Sequence, residues 1–157
     1  MARVNLPYGI DNFAKVRESN CYYIDKTGFI KELLDWTFDV NLITRPRRFG
    51  KTLTMSMLAE FFDIRKDSRK HFEGLEIAKD TEFCSEWMNQ WPVLFLTLKD
   101  VDGDSFEDAY GMLRFVISSV CGEHHYLLDS NRVLEEYFNA YRNSREHLLM
   151  LNLLYLS

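Results

Sequence analysis

The chain has 157 residues, of which 46% are hydrophobic and 15% aromatic, so it is long and apolar enough for one domain with a packed core. Its formal net charge of −5 argues against a protein that coats nucleic acid without sequence specificity. Cys21, Cys84 and Cys121 are odd in number and lack C-x-x-C spacing, which predicts neither a disulfide framework nor a zinc site.

The N-terminal residues and the longest apolar runs bear on location. The stretch Met1–Asn5 lacks the apolar core of a signal peptide, and no apolar run reaches the length of a bilayer span. Unpaired cysteines suit a reducing compartment. We therefore expect a soluble, cytoplasmic protein with no membrane partner.

Two short helices are predicted near the N-terminus. A weak helical pattern runs through Phe13 and Val16, and Thr27 can cap a second helix. The apolar face of that second helix comprises Phe29, Ile30, Leu33 and Leu34. The extended piece between the helices contains Tyr22, Tyr23 and Ile24, which are candidates for covering an adenine ring, although ordinary core packing is the favoured interpretation.

Residues 38–63 carry the motif around which the chain is organised. The apolar residues Val40, Leu42 and Ile43 predict a buried strand, and apolar residues at helical spacing predict a helix over 51–63. The loop between them reads Arg45-Pro46-Arg47-Arg48-Phe49-Gly50-Lys51-Thr52. Strand, loop and helix in this order form the context of a phosphate-binding loop.

The residue types at the end of this loop suit polyphosphate chemistry. A helix start presents backbone N–H groups and the positive end of the helix dipole, and Gly50 lets that backbone approach a phosphate closely. Lys51 would reach the phosphate oxygens, and the Thr52 hydroxyl would be a ligand of Mg²⁺. The usual pattern, G-x-x-x-x-G-K-[ST], is imperfect here because Arg45 stands at its first glycine. The alternative interpretation is an ordinary strand-to-helix turn with solvated arginines.

Downstream of the motif, a second strand and several helices are predicted. Phe72, Leu75 and Ile77 mark a packed connection, and Thr81 could cap a helix that ends near Trp91-Pro92. Residues 93–98 are nearly all apolar, as in a strand covered on both faces, and Asp104 could cap a long helix after them. Strands that alternate with helices predict an α/β fold with a parallel sheet. From Cys121 onward the pattern is helical.

An enzyme that hydrolyses nucleotides at a phosphate-binding loop also needs an acidic residue at the end of an apolar strand, to hold Mg²⁺. The nearest acid to the 93–98 strand is Asp100, which lies past Lys99 and fits poorly, so a loop residue is the favoured interpretation. The sequence therefore identifies no catalytic residue.

Several runs of residues resemble a known family. The runs are Tyr22-Tyr23-Ile24-Asp25-Lys26-Thr27, the loop from Leu42 to Thr52, Met55-Ser56-Met57-Leu58, Phe72-Glu73-Gly74-Leu75 and Pro92-Val93-Leu94-Phe95-Leu96. Together they look like the AAA-ATPase-like domain of bacterial proteins that often carry a C-terminal PD-(D/E)XK nuclease-like domain. The resemblance covers nearly the whole chain, and the family shares the arginine at the first glycine position.

The resemblance implies a P-loop NTPase-like fold, a parallel sheet flanked by helices, with ATP and Mg²⁺ as ligands and ATPase activity at the level of the family. In the family, the Mg²⁺-binding acid follows a later strand. By this comparison residues 1–157 are the N-terminal part of the domain, truncated before its Walker B strand and without the nuclease-like domain. This absence argues against hydrolysis by the chain alone.

The leading hypothesis is a nucleoside triphosphate site built on the Walker A-like loop. Its predicted binding residues are Arg47, Arg48, Phe49, Gly50, Lys51, Thr52 and Leu53, with Thr52 also on Mg²⁺. The alternative is a non-enzymatic domain whose arginine-rich loop binds nucleic acid or a protein partner. A third hypothesis is that the chain does nothing on its own.

Overall fold

The computed structural model describes residues 5–35, 40–44, 46, 49–99 and 101–129. The chain divides into two compact units, Met1–Val93 and Leu94–Ser157. The helices predicted after residue 130 lie outside the described residues. Among the described residues, none of the helices combines the length and apolar character needed to cross a bilayer.

The described secondary structure is helical in both units. In the first unit the helices are α1 (Phe13–Glu18), α2 (Gly28–Asp35), α3 (Lys51–Phe62), α4 (Arg69–Phe72) and α5 (Thr81–Trp87), with a 3₁₀ turn at Ile77–Lys79. The second unit contains α6 (Phe106–Glu123) and a 3₁₀ turn at His125–Asp129.

Side-chain caps set the starts of three of these helices. Asn12 accepts from the Lys15 amide at α1, Asp80 accepts from the Phe83 amide at α5, and Ser105 accepts from the Asp108 amide at α6. The predicted caps Thr81 and Asp104 are therefore each wrong by one position. Thr27, a third predicted cap, is fully buried, and its hydroxyl bonds to Asp25 and to the amide of Ile77.

The predicted parallel α/β sheet is wrong. Residues 40–44 and 92–98 belong to no strand, and the described residues contain only two isolated parallel bridges, Asn5 with Cys21 and Asp63 with Trp91. Val40 and Leu42 are 79% and 86% exposed. An apolar run describes side chains, whereas a parallel strand exists only when neighbouring strands bond its backbone, and these segments have no such neighbour among the described residues.

A cluster of aromatic rings forms the core of the first unit. The ring centroids of Phe13 and Phe72 are 4.9 Å apart, and those of Phe61 and Phe72 are 5.3 Å apart. All three side chains are fully buried. The buried apolar residues around them are Ile30, Met57, Leu58, Leu75, Ile77 and Met88. Phe61 comes from α3, so one face of this helix packs into the core.

A buried carboxylate on α3 joins this helix to the segment that follows it. Glu60 is only 6% exposed, and it accepts hydrogen bonds from Lys66 Nζ and, at 2.9 Å, from Ser68 Oγ. His71 Nδ1 lies 2.9 Å from the same carboxylate. Burial alone would raise the pKa of Glu60, but the hydrogen bonds from Lys66, His71 and Ser68 outweigh it and hold this pKa below its usual range.

Asn89 closes the C-terminal end of α3. Its backbone has the positive φ of 57° that asparagine tolerates better than most residues. Its Nδ2 donates to the carbonyls of Glu60 and Asp63 at 3.2 and 2.9 Å, and its own amide donates to Phe61 O at 2.7 Å. Its Oδ1 accepts from the Ser68 amide at 3.0 Å. One side chain thus satisfies carbonyls that a helix end leaves unbonded.

We expect Asn89→Ala to lower the free energy of unfolding by about 2–4 kcal/mol. The substitution leaves buried backbone groups without hydrogen-bond partners and places alanine at a positive φ. Urea denaturation followed by circular dichroism measures the change. Gln90→Ala is the matched control, since Gln90 is exposed, and should cost less than about 0.5 kcal/mol. Equal stabilities for the two variants would contradict the role assigned to Asn89.

The Glu60 cluster predicts a pH dependence. Because the folded-state pKa of Glu60 is depressed, its contribution is complete above its ordinary value of 4.5 and is lost as the pH falls through the folded value. Glu60→Gln should therefore cost about 1–3 kcal/mol near pH 7, and the difference from wild type should shrink at low pH. Denaturation at several pH values tests this, with the exposed Glu86→Gln as control. A difference that does not change with pH would contradict it.

Candidate functional site

The predicted phosphate loop ends where α3 begins, and Gly50 makes the junction. Gly50 is the N-cap residue, with φ 74° and ψ 25°, the left-handed conformation that glycine adopts without steric cost. It has no side chain to cap the helix, and its carbonyl accepts the first helical bond, from Thr54 N at 2.8 Å. The amides of the first turn precede that bond, and helix geometry directs them out of the helix start.

The first turn of α3 divides the predicted site residues by exposure. Lys51 and Thr52 are exposed, whereas Leu53 is partly buried and packs against the core. Phe49 is 59% exposed, and its amide donates to Pro46 O at 3.4 Å in a turn. Lys51 and Thr52 thus lie together at the surface beside the partly buried Gly50, and Leu53 anchors their turn. Arg47 and Arg48 lie outside the described residues, as does Asp100.

The segment 22–27 lies against the same helix. The Tyr23 hydroxyl donates to Met57 Sδ at 3.2 Å, and its ring packs edge-on against Phe13 with centroids 5.3 Å apart. Burial raises the pKa of Tyr23 to about 12, so the hydroxyl stays protonated at neutral pH. Tyr23 is therefore a packing residue, as the favoured interpretation predicted. Tyr22 and Ile24 are 56% and 64% exposed.

A set of hydrogen bonds fastens this segment to the 76–77 backbone. Asp25 Oδ1 accepts from the Thr27 amide at 2.9 Å and its hydroxyl at 2.7 Å, while Oδ2 accepts from the Glu76 amide at 2.7 Å. The Ile77 amide donates to Thr27 Oγ1 at 3.2 Å. Burial raises the pKa of Asp25, but these hydrogen bonds outweigh it and hold the pKa below the usual range. The carboxylate is therefore ionised at neutral pH, and it accepts these hydrogen bonds at the surface of the first unit.

Lys26, between these two fastened residues, comes close to the helix start. Its Nζ lies 3.9 Å from the position that a β-carbon at residue 50 would occupy. Sequence reasoning missed this neighbour of the loop, because Lys26 is 24 positions before Gly50 and no periodic pattern links the two. The signal in the sequence is the Asp25-Lys26-Thr27 triplet, but the groups that fasten it belong to Glu76 and Ile77, about fifty residues away.

Comparison with known proteins places this chain in a family. A family model described as "Predicted AAA-ATPase" matches residues 7–150. The chain belongs to this family. The resemblance drawn from the sequence motifs is thereby confirmed, and membership implies nucleotide binding and ATPase activity at family level, usually with magnesium. No solved structure matches the chain significantly.

A curated relative of this chain comes from Azotobacter chroococcum mcd 1, where it is described as an uncharacterized protein in the vnfD 5′ region. It is 40% identical over 95 residues. The match covers 60% of this chain and 17% of the relative. The similarity therefore concerns a small part of that longer protein.

The left-handed conformation of Gly50 gives a test of the helix start. Gly50→Ala should destabilise the chain by about 1–2 kcal/mol, because a β-carbon is disfavoured at this positive φ. Gly111→Ala is the matched control, since Gly111 lies within α6 with open space around it. This substitution should raise the free energy of unfolding by about 0.5–1 kcal/mol. Thermal denaturation compares the two. Stabilisation by both substitutions would show that residue 50 is not left-handed.

Proposed function

We propose that this chain binds a nucleoside triphosphate, ATP with Mg²⁺, at the loop 45–52 and the first turn of α3. The observation that supports this most directly is the junction at Gly50, where a left-handed glycine opens a twelve-residue helix with Lys51 and Thr52 exposed in its first turn. Family membership supplies the nucleotide as the class of ligand.

Each residue of this proposal has a distinct physical role. The amides after Gly50 donate to phosphate oxygens at the positive end of the α3 dipole. Lys51 places an ammonium group on the phosphates, and the Thr52 hydroxyl is the Mg²⁺ ligand. Leu53 holds the turn against the core and acts through its packing. Arg47, Arg48 and Phe49 complete the loop, the arginines as auxiliary positive charge.

The proposal concerns binding. No residue is assigned to the attack on the γ-phosphate, since the first turn of α3 contains no acidic residue. Its support comes from the helix side of the motif and from the family, since the strand predicted before the loop is wrong.

Titration with Mg-ATP tests the proposal. Wild type should bind, and Lys51→Ala should weaken binding at least tenfold, because it removes a charged donor from the phosphates. Mg-ATP held at one hundred times its dissociation constant should also stabilise wild type by about 2.7 kcal/mol. Isothermal titration calorimetry and thermal denaturation measure the two effects.

Lys66→Ala is an unsuitable control because Lys66 supports the buried Glu60, whereas Lys70→Ala removes an exposed lysine from α4 and should bind ATP as wild type does. Equal affinity of wild type and Lys51→Ala, or no binding by either, would contradict the proposal. Salt-sensitive DNA binding that ignores ATP would instead favour the nucleic-acid alternative.

A further inference from the structure

Lys26 lies beside the start of α3 although it comes from a different part of the chain. The distance of 3.9 Å from its Nζ to the β-carbon position of residue 50 places its ammonium group at the glycine of the loop. Lys26 is exposed, and in the described part of the chain no ion pair involves it. The fold thus holds a cation next to the helix start without using that cation in any described contact.

The position of Lys26 follows from its two neighbours. Asp25 and Thr27 are both bonded to the backbone at 76–77, and Thr27 is fully buried. The main chain of Lys26 is therefore held at both sides, which restricts where its side chain can reach. The Tyr23 contact with Met57 fastens the same segment to α3 itself.

This arrangement brings two lysines to one anion site from separate segments. Lys51 belongs to the first turn of α3, and Lys26 reaches the same turn from outside the helix. An ammonium group is a compact charge with three donors, and it suits phosphate oxygens that approach from different directions. A polyphosphate at the α3 start would lie within reach of both charges.

We propose that Lys26 is a second phosphate-binding lysine of the nucleotide site, acting together with Lys51 on the phosphate chain. The inference rests on the proposed function, since it needs a nucleotide at the α3 start. It adds a binding residue that lies outside the glycine-lysine-threonine motif. Because no described side-chain contact depends on Lys26, its loss should affect ligand binding and leave folding unchanged.

The test compares variants of the full chain in titrations with Mg-ATP. Lys26→Ala should weaken binding about tenfold, whereas Lys26→Arg, which keeps the charge, should stay within about threefold of wild type. Lys70→Ala removes an exposed lysine of α4, the helix that bonds through His71 to Glu60 in the last turn of α3, and should bind as wild type does. The twelve residues of α3 span about 18 Å between its two ends. The melting temperature without ligand should be the same for all four proteins.

The outcomes separate this inference from the proposed function. If wild type binds Mg-ATP and Lys51→Ala does not, but Lys26→Ala binds like wild type, Lys26 is not a phosphate ligand and only the further inference fails. Equal losses in Lys26→Ala and Lys70→Ala would overturn it as well, since they would indicate a non-specific effect of charge. If wild type binds no ATP, the proposed function is wrong, and the inference that rests on it is wrong as well. Lys26→Gln, which keeps a polar side chain but removes the charge, replaces Lys26→Ala if the latter melts at a lower temperature.

Discussion

The two ends of α3 differ in how the fold satisfies their backbone polar groups. At the C-terminal end, Asn89 bonds the carbonyls of Glu60, Phe61 and Asp63 through its side chain and its own amide. At the N-terminal end, Gly50 supplies no side-chain cap. A helix end must find partners for its polar groups in the fold, in water or in a ligand. The fold supplies a dedicated side chain at one end of α3 and a bare glycine junction at the other.

Side chains in the last turn of α3 explain why the orientation of this helix is well determined. Phe61 belongs to the aromatic core, while Glu60 is buried and bonded to Ser68, His71 and Lys66. Removing one partner of a buried carboxylate leaves uncompensated charge, so such a cluster tolerates few alternative packings. The same helix is thus held by apolar contacts on one side and by a satisfied carboxylate on another. These contacts also fix the position of the first turn of α3.

Local patterns in the sequence predict α1, α2, α3, α5 and α6, but they miss the short helix α4 and every feature that depends on distant partners. The periodicity of Met57, Leu58 and Phe61 predicted α3 to within one residue of its end. The apolar runs at 40–43 and 93–98 predicted strands that are wrong, because pairing is a property of neighbours and not of the run itself. Glu60 and Asn89 are polar residues, so the apolar pattern of the sequence did not predict their structural roles. No periodic pattern links Lys26 to Gly50, and its place beside Gly50 depends on the bonds of Asp25 and Thr27 to residues 76 and 77.

Because the predicted sheet is wrong, a different part of the fold supports the candidate site. An anion at a helix start is held by amides, a dipole and nearby ammonium groups, and all of these are local to α3 and the segment beside it. What a sheet would contribute is a rigid base for the loop. Here the first turn of α3 is instead held by Leu53 packing, by the core around Phe61 and by the Asp25 fastening of the neighbouring segment. Because these contacts form when the chain folds, they fix the first turn of α3 without a ligand, and a ligand bound there would remove correspondingly little entropy from its amides.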